Sequence, residues 1–147
     1  FLFNHESSLR TENYLSKKIT SYVAQLSESS NDKLSLGSLD MSVDWGYAPD
    51  YVEAFRRILQ TSSPDDYIVA TGVKSSIKDF VKIAFEHVDL DYRKYVTVDP
   101  NILIRKNETR IGSAKKLMKA TGWKPSISFQ EMVKKLVDIE IKKFKSI

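Results

Sequence analysis

Apolar positions along the chain recur with two spacings, and where the spacing changes one element gives way to the next. Leu15, Ile19, Tyr22, Val23 and Leu26 lie three or four residues apart, so a helix carries them on one side. The same rhythm returns in Val52, Phe55, Ile58 and Leu59 behind Pro49, a residue that a first helical turn accommodates, and it predicts a helix with that stripe buried. It is clearest in Ile77, Phe80, Val81, Ala84, Phe85 and Val88, and again in Phe129, Met132, Val133, Leu136, Val137 and Ile141. A capping pattern introduces each of these two helices: Ser76 with Asp79, and Ser128 with Glu131, where a hydroxyl and a carboxylate satisfy free backbone N–H groups. A shorter helix over 114–120 stops near Gly122.

Between the helices the spacing falls to two. Lys33-Leu34-Ser35-Leu36 before Gly37, the alternating Val43, Trp45 and Tyr47, and Val96-Thr97-Val98 each predict a short strand. Tyr67-Ile68-Val69-Ala70 is a compact β-prone run that predicts a buried strand, and the turn signal Pro64-Asp65-Asp66 precedes it. Phe1-Leu2-Phe3 predicts a further strand, followed by a loop over the polar residues 4–10. Short, widely spaced strands alternating with amphipathic helices describe an α/β chain, a small layer built onto a larger sheet. At 147 residues one compact unit is expected.

Composition narrows the function classes. With 41% hydrophobic and 29% charged residues the chain reads as an ordinary soluble domain, and no stretch has the length or purity of a membrane span. A soluble, cytoplasmic protein without a membrane partner is expected. The absence of cysteine excludes disulfides and thiolate metal sites, and His5 and His87 alone are too few for a zinc site. The net charge of +4 comes from lysines spread over several segments, so no nucleic-acid partner is expected. Phe1-Leu2-Phe3 carries neither a basic leader nor a cleavage site, and a chain that opens inside a strand reads as part of a longer one.

The five glycines stand far apart, so no phosphate-cradling loop is present. Tyr14 and Lys18 have the spacing of a proton-transferring tyrosine-lysine pair, but no cofactor fold precedes them and catalysis is not assigned to them. Consecutive side chains of an extended segment point apart, so His5, Glu6 and Ser7 form no hydrolytic constellation. His87, near its helix end, is expected to face the helix dipole or solvent. Arg10, Lys17, Lys18, Arg105, Lys106 and Arg110 are candidate donors to an anionic ligand. Residue chemistry alone thus reaches a small α/β unit that binds an anion.

A more specific reading comes from ordered blocks. Leu2-Phe3-Asn4-His5-Glu6-Ser7 with Arg10, Glu12-Asn13 and Lys17-Lys18-Ile19-Thr20 resembles the GDP-mannose 4,6-dehydratase family. Leu36-Gly37-Ser38-Leu39-Asp40, Asp44-Trp45-Gly46-Tyr47-Ala48, Asp50-Tyr51-Val52-Glu53-Ala54, Asp65-Asp66-Tyr67, Ala70-Thr71-Gly72 and Gly122-Trp123-Lys124-Pro125 continue it in order over essentially the whole chain. The resemblance implies the C-terminal, substrate-binding portion of an extended short-chain dehydrogenase (Rossmann-type) fold. Residues 1–147 would be the nucleotide-sugar-binding domain, with 1–4 the end of a Rossmann-sheet strand and the N-terminal NADP-binding domain absent. Catalytic residues would lie upstream of this chain, leaving it inactive alone.

By motif, Asn4, Leu15, Lys18, Arg105 and Glu108 would bind a GDP-sugar, with Leu15 lining the guanine pocket, Lys18 and Arg105 on the diphosphate, and Glu108 accepting from the nucleoside. His5 and Arg10 would lie near the nicotinamide half of NADP. A homo-oligomer is implied as well. One departure stands out: related enzymes carry an arginine just before the Asp-Trp-Gly block, where this chain has Val43. Losing one charge-assisted contact costs about 1.5 to 3 kcal/mol, roughly ten- to a hundredfold in affinity. The alternatives are another nucleotide-sugar dehydratase, epimerase or reductase of the superfamily, or a non-catalytic module that binds a nucleotide or a partner.

Overall fold

The computed structural model describes residues 1–26, 32–102 and 109–146. Among them, short strands form three two-stranded sheets around a helical core. Strand β1 (Asn4–Glu6) runs parallel to β4 (Trp45–Tyr47), with Asn4 opposite Trp45, His5 opposite Gly46 and Glu6 opposite Tyr47. β2 (Leu34–Leu36) runs parallel to β6 (Val96–Val98), and β3 (Ser42–Val43) pairs antiparallel with β5 (Ser75–Ser76). The expected loop over 4–10 therefore begins later, because backbone pairing with β4 needs no apolar side chains and carries Asn-His-Glu into a sheet. Ahead of β1, Leu2 bridges Val69 in parallel, the Phe3 N–H donating to the Val69 carbonyl at 3.0 Å.

Helices α1 (Leu15–Gln25), α3 (Ile77–Glu86) and α5 (Phe129–Lys145) pack around one core. Ile19, Val23, Phe80, Val81, Phe85, Val133 and Val137 all face it, in agreement with their spacing. At its centre the Trp45 and Phe129 rings stack at 5.7 Å, and Phe80 meets both edge-on. Each such ring withdrawn from water contributes on the order of 2 kcal/mol. Both capping boxes form, so Ser76 and Ser128 accept from the N–H groups of Asp79 and Glu131 while the carboxylates reach back. Substituting Ser128 with alanine should lower stability by about 1 kcal/mol, read as a shifted urea midpoint with unchanged slope.

A second core lies under α2 (Ala48–Ile58), where Tyr51, Ala54, Tyr67, Val69 and Trp123 meet Leu117 of α4 (Lys115–Thr121). The expectation for α2 is corrected here: of its expected stripe Ile58 packs against this core, but its buried residues are Asp50, Tyr51 and Ala54, whereas Val52 is 62% and Leu59 86% exposed and Phe55 is partly so. The cause is polar. Asp50 accepts from the Ser126 N–H at 3.0 Å and its hydroxyl at 2.5 Å, and the Trp123 indole donates to the Asp50 carbonyl, turning that face inward. Gly122 ends α4 at φ 66°, a left-handed conformation that glycine adopts without a side-chain clash. His87 also departs from expectation, pairing with Asp138 of α5 at 2.7 Å rather than facing solvent alone.

Candidate functional site

α1 begins where Tyr14 gives up extended geometry, and its first turn sets Leu15 and Lys18 on the side facing β2. There they line a groove of about 350 Å³ with Asn13, Ser35, Leu36, Gly37, Ser38, Met41, Ile77 and Ile102. Its walls divide by chemistry. Leu15, Met41 and Ile77 are apolar, suited to the face of a flat ring, while Asn13, Ser35 and Ser38 offer hydrogen-bonding groups. The Lys18 ammonium spans from α1 to the Ser35 carbonyl, to which it donates at 2.8 Å, and no carboxylate among the described residues pairs with it. Such a slot can take a planar heterocycle and the anionic group attached to it.

A second constellation gathers at the end of β1. The Glu6 carboxylate, buried, accepts from the Ser16 hydroxyl at 2.5 Å and from Arg10 Nε at 3.1 Å. Arg10 also donates to the His5 carbonyl at 2.8 Å and lies over the Tyr14 ring, 4.0 Å from its centroid. Its guanidinium is thus fixed from three sides and fastens residues 5–16 into a compact loop. On the other side of β1 the His5 imidazole stacks on Tyr51 at 4.7 Å and donates from Nδ1 to the Phe3 carbonyl at 2.9 Å. Burial first, then the Asp44 and Asp50 carboxylates, pushes the Tyr51 phenol well above its usual pKa, so it stays neutral.

Of the residues expected to bind a ligand, Leu15 and Lys18 share the groove, while Asn4, His5 and Arg10 form the β1 constellation. Asn4 is exposed, and its carbonyl lies 3.5 Å from the Tyr51 hydroxyl. Arg105 and Glu108, with Lys106, lie outside the described residues. Lys17 leaves the anion-binding set, because its ammonium is buried against Glu140 at 2.5 Å. Val43 packs against the main core as a partly buried side chain.

Sequence reasoning missed Met41 and Ile77 as groove residues, since Ile77 read as part of a buried helix stripe and Met41 belonged to no pattern. It also missed Asp44. That carboxylate, 1% exposed between β3 and β4, accepts from the Thr71 N–H and hydroxyl, the Gly72 N–H and the Gly112 N–H at 2.5 to 3.0 Å. A lone acid between two strand residues was the available signal.

The family profile described as GDP-mannose 4,6 dehydratase matches residues 1–136. Among curated proteins, GDP-mannose 4,6 dehydratase 1 of Arabidopsis thaliana is 38% identical over 141 residues, covering 95% of this chain and 39% of its own length. The chain thus spans about two fifths of the length of the curated relatives it matches. Among solved structures, RMD from Pseudomonas aeruginosa complexed with NADPH has a TM-score of 0.83 at 21% identity, covering 97% of this chain and 47% of that one. The dTDP-glucose 4,6-dehydratase of Bacillus anthracis, in complex with NAD, has a TM-score of 0.83 at 13% identity, covering 98% and 44%. These two likenesses are of fold: the chain is built like the matching part of each of those proteins. With the profile running through nearly all of it and the quoted blocks in order, the chain belongs to the GDP-mannose 4,6-dehydratase family.

Proposed function

We propose that this chain is the part of a GDP-mannose 4,6-dehydratase that holds the nucleotide sugar. The observation that supports it most is the groove between α1 and β2, where Leu15 and Lys18, the positions assigned by motif to guanine and diphosphate, line one cavity. The base lies between Leu15, Met41 and Ile77, the ammonium of Lys18 faces the diphosphate, and Asn4 meets the sugar-diphosphate from the end of β1. Arg105 and Glu108 complete the set by motif.

The intact enzyme converts GDP-mannose to GDP-4-keto-6-deoxymannose: the sugar is oxidised at C4, water leaves across C5 and C6, and C6 is reduced. NADP, when bound, would supply the acceptor for the hydride leaving C4 and, once reduced, the donor that returns it to C6. One feature fits it: the His5 Nε2 takes no partner among the described residues, while Arg10 is bonded to the His5 backbone carbonyl. The role of this chain is placement, since a substrate held in register converts an encounter into an intramolecular step. The proton transfers belong to residues of the Rossmann part. Assembly into a homo-oligomer belongs to the same reading.

Calorimetric titration of the chain with GDP and with UDP tests this. GDP should bind the more tightly, and Lys18→Met should weaken it about tenfold, the loss of one charge-assisted contact near 1.4 kcal/mol. Equal affinity for UDP, or an unchanged affinity in Lys18→Met, would contradict it.

A further inference from the structure

Histidine offers a ligand either a donor or an acceptor, depending on which ring nitrogen carries the proton. At His5 the fold settles that choice. Nδ1 lies 2.9 Å from the Phe3 carbonyl, which can only accept, so Nδ1 must carry hydrogen. In the neutral ring Nε2 is then a bare acceptor, and it meets no partner among the described residues.

What keeps the ring in that pose is Tyr51. The two rings stack at 4.7 Å with planes 28° apart, so the imidazole cannot turn about its Cβ–Cγ bond without striking the phenol. Tyr51 is itself held: it is 1% exposed, packed edge-on against Trp123 at 6.4 Å, with its hydroxyl toward the Asn4 carbonyl. Its ring occupies the space that a side chain at position 46 would need, since a Cβ on Gly46 would come within 2.2 Å of Tyr51 Cε2. His5 and Gly46 are opposite one another across β1 and β4, so a glycine on one strand makes room for the ring that orients a histidine on its neighbour.

We propose that Tyr51, seated over Gly46, is a positioning residue that locks His5 as the Nδ1–H tautomer and so presents Nε2 as an acceptor for an N–H or O–H donor of the bound ligand. A carboxamide or a sugar hydroxyl has that chemistry, whereas a phosphate, which only accepts, is refused by the neutral ring. The ligand side rests on the functional reading above, while the tautomer belongs to the free chain. Failure of one therefore leaves the other standing.

Two-bond nitrogen-proton correlation spectra of the histidine-labelled chain, recorded where the imidazoles are neutral, read the tautomer directly. His5 is distinguished from His87 with His87→Gln, whose loss removes only the other set of signals. Expected are a protonated-type Nδ1 and an unprotonated-type Nε2 for His5, kept in Tyr51→Phe, where the ring remains. In Tyr51→Leu the signals should move toward the Nε2–H form that an unrestrained imidazole favours in water. The proposal is overturned if the parent chain shows Nε2–H, if Tyr51→Leu keeps the parent pattern, or if Tyr51→Phe loses it. Should Tyr51→Leu not fold, the parent and Tyr51→Phe spectra still decide.

Discussion

Exchanging Asp44 for alanine should lower the free energy of unfolding by about 4 kcal/mol, a large share of the 5 to 15 kcal/mol that holds an ordinary domain together. The carboxylate is almost fully withdrawn from water and accepts four hydrogen bonds, three of them from backbone N–H groups of Thr71, Gly72 and Gly112. None of those donors belongs to a helix or to a named strand. Alanine would leave the buried Gly112 N–H unpaired and the half-buried Thr71 donors and the Gly72 N–H without their shared acceptor, and a cavity of one carboxylate is too small for a water to serve them all. Asparagine keeps the shape but turns an N–H toward an N–H, so Asp44→Asn should recover only part of the loss. Urea denaturation measures both variants; a loss under about 1 kcal/mol for the alanine would mean that the clamp is not what joins these segments.

The second large effect lies between α1 and α5. Lys17 and Glu140 meet at 2.5 Å with both side chains about nine-tenths buried, and Ser21, Glu12 and Lys143 complete the group. Removing one partner strands a desolvated charge, so Glu140→Leu should cost on the order of 3 kcal/mol. Combining it with Lys17→Met should recover most of that, because an apolar pair of similar volume packs well. The pH dependence follows the same pair. Burial pushes the Glu140 carboxyl upward, but the hydrogen bonds from Lys17 and Lys143 outweigh it and hold the group below its ordinary value near 4.5. A carboxyl depressed in the folded chain stabilises it above the unfolded value, and that stabilisation is lost as the pH falls through the folded one. Acid titration followed by circular dichroism should therefore show stability falling below pH 4.5, with a shallower fall in Glu140→Leu.

The same pair bears on the site, since Lys17 fastens the helix whose next residue, Lys18, faces the groove. The five α-helices among the described residues were all legible: α1, α3 and α5 from their spacing, two of them with capping boxes, α2 from its stripe behind Pro49, and α4 from its stop at Gly122. α2 misled because periodicity shows that a stripe exists, not what covers it. Its inward face was chosen by Asp50, whose partner Ser126 lies far along the chain. β1 was missed because Asn4, His5 and Glu6 are polar and their pairing is made by the backbone.

At the site, Leu15 and Lys18 were legible only through ordered motifs, and Met41 and Ile77 carried no signal beyond being apolar. Nor does any local pattern show that Glu6 claims Arg10, or that Tyr51 lies against His5. Those contacts arise where the loop after β1 folds back on itself and where α2 closes over two parallel strands.

A crystal structure of the chain grown with GDP tests the functional reading most directly. Guanine should lie between Leu15, Met41 and Ile77, with the diphosphate within hydrogen-bonding reach of the Lys18 ammonium. GDP held elsewhere on the surface, or a groove that stays empty at saturating nucleotide, would contradict it.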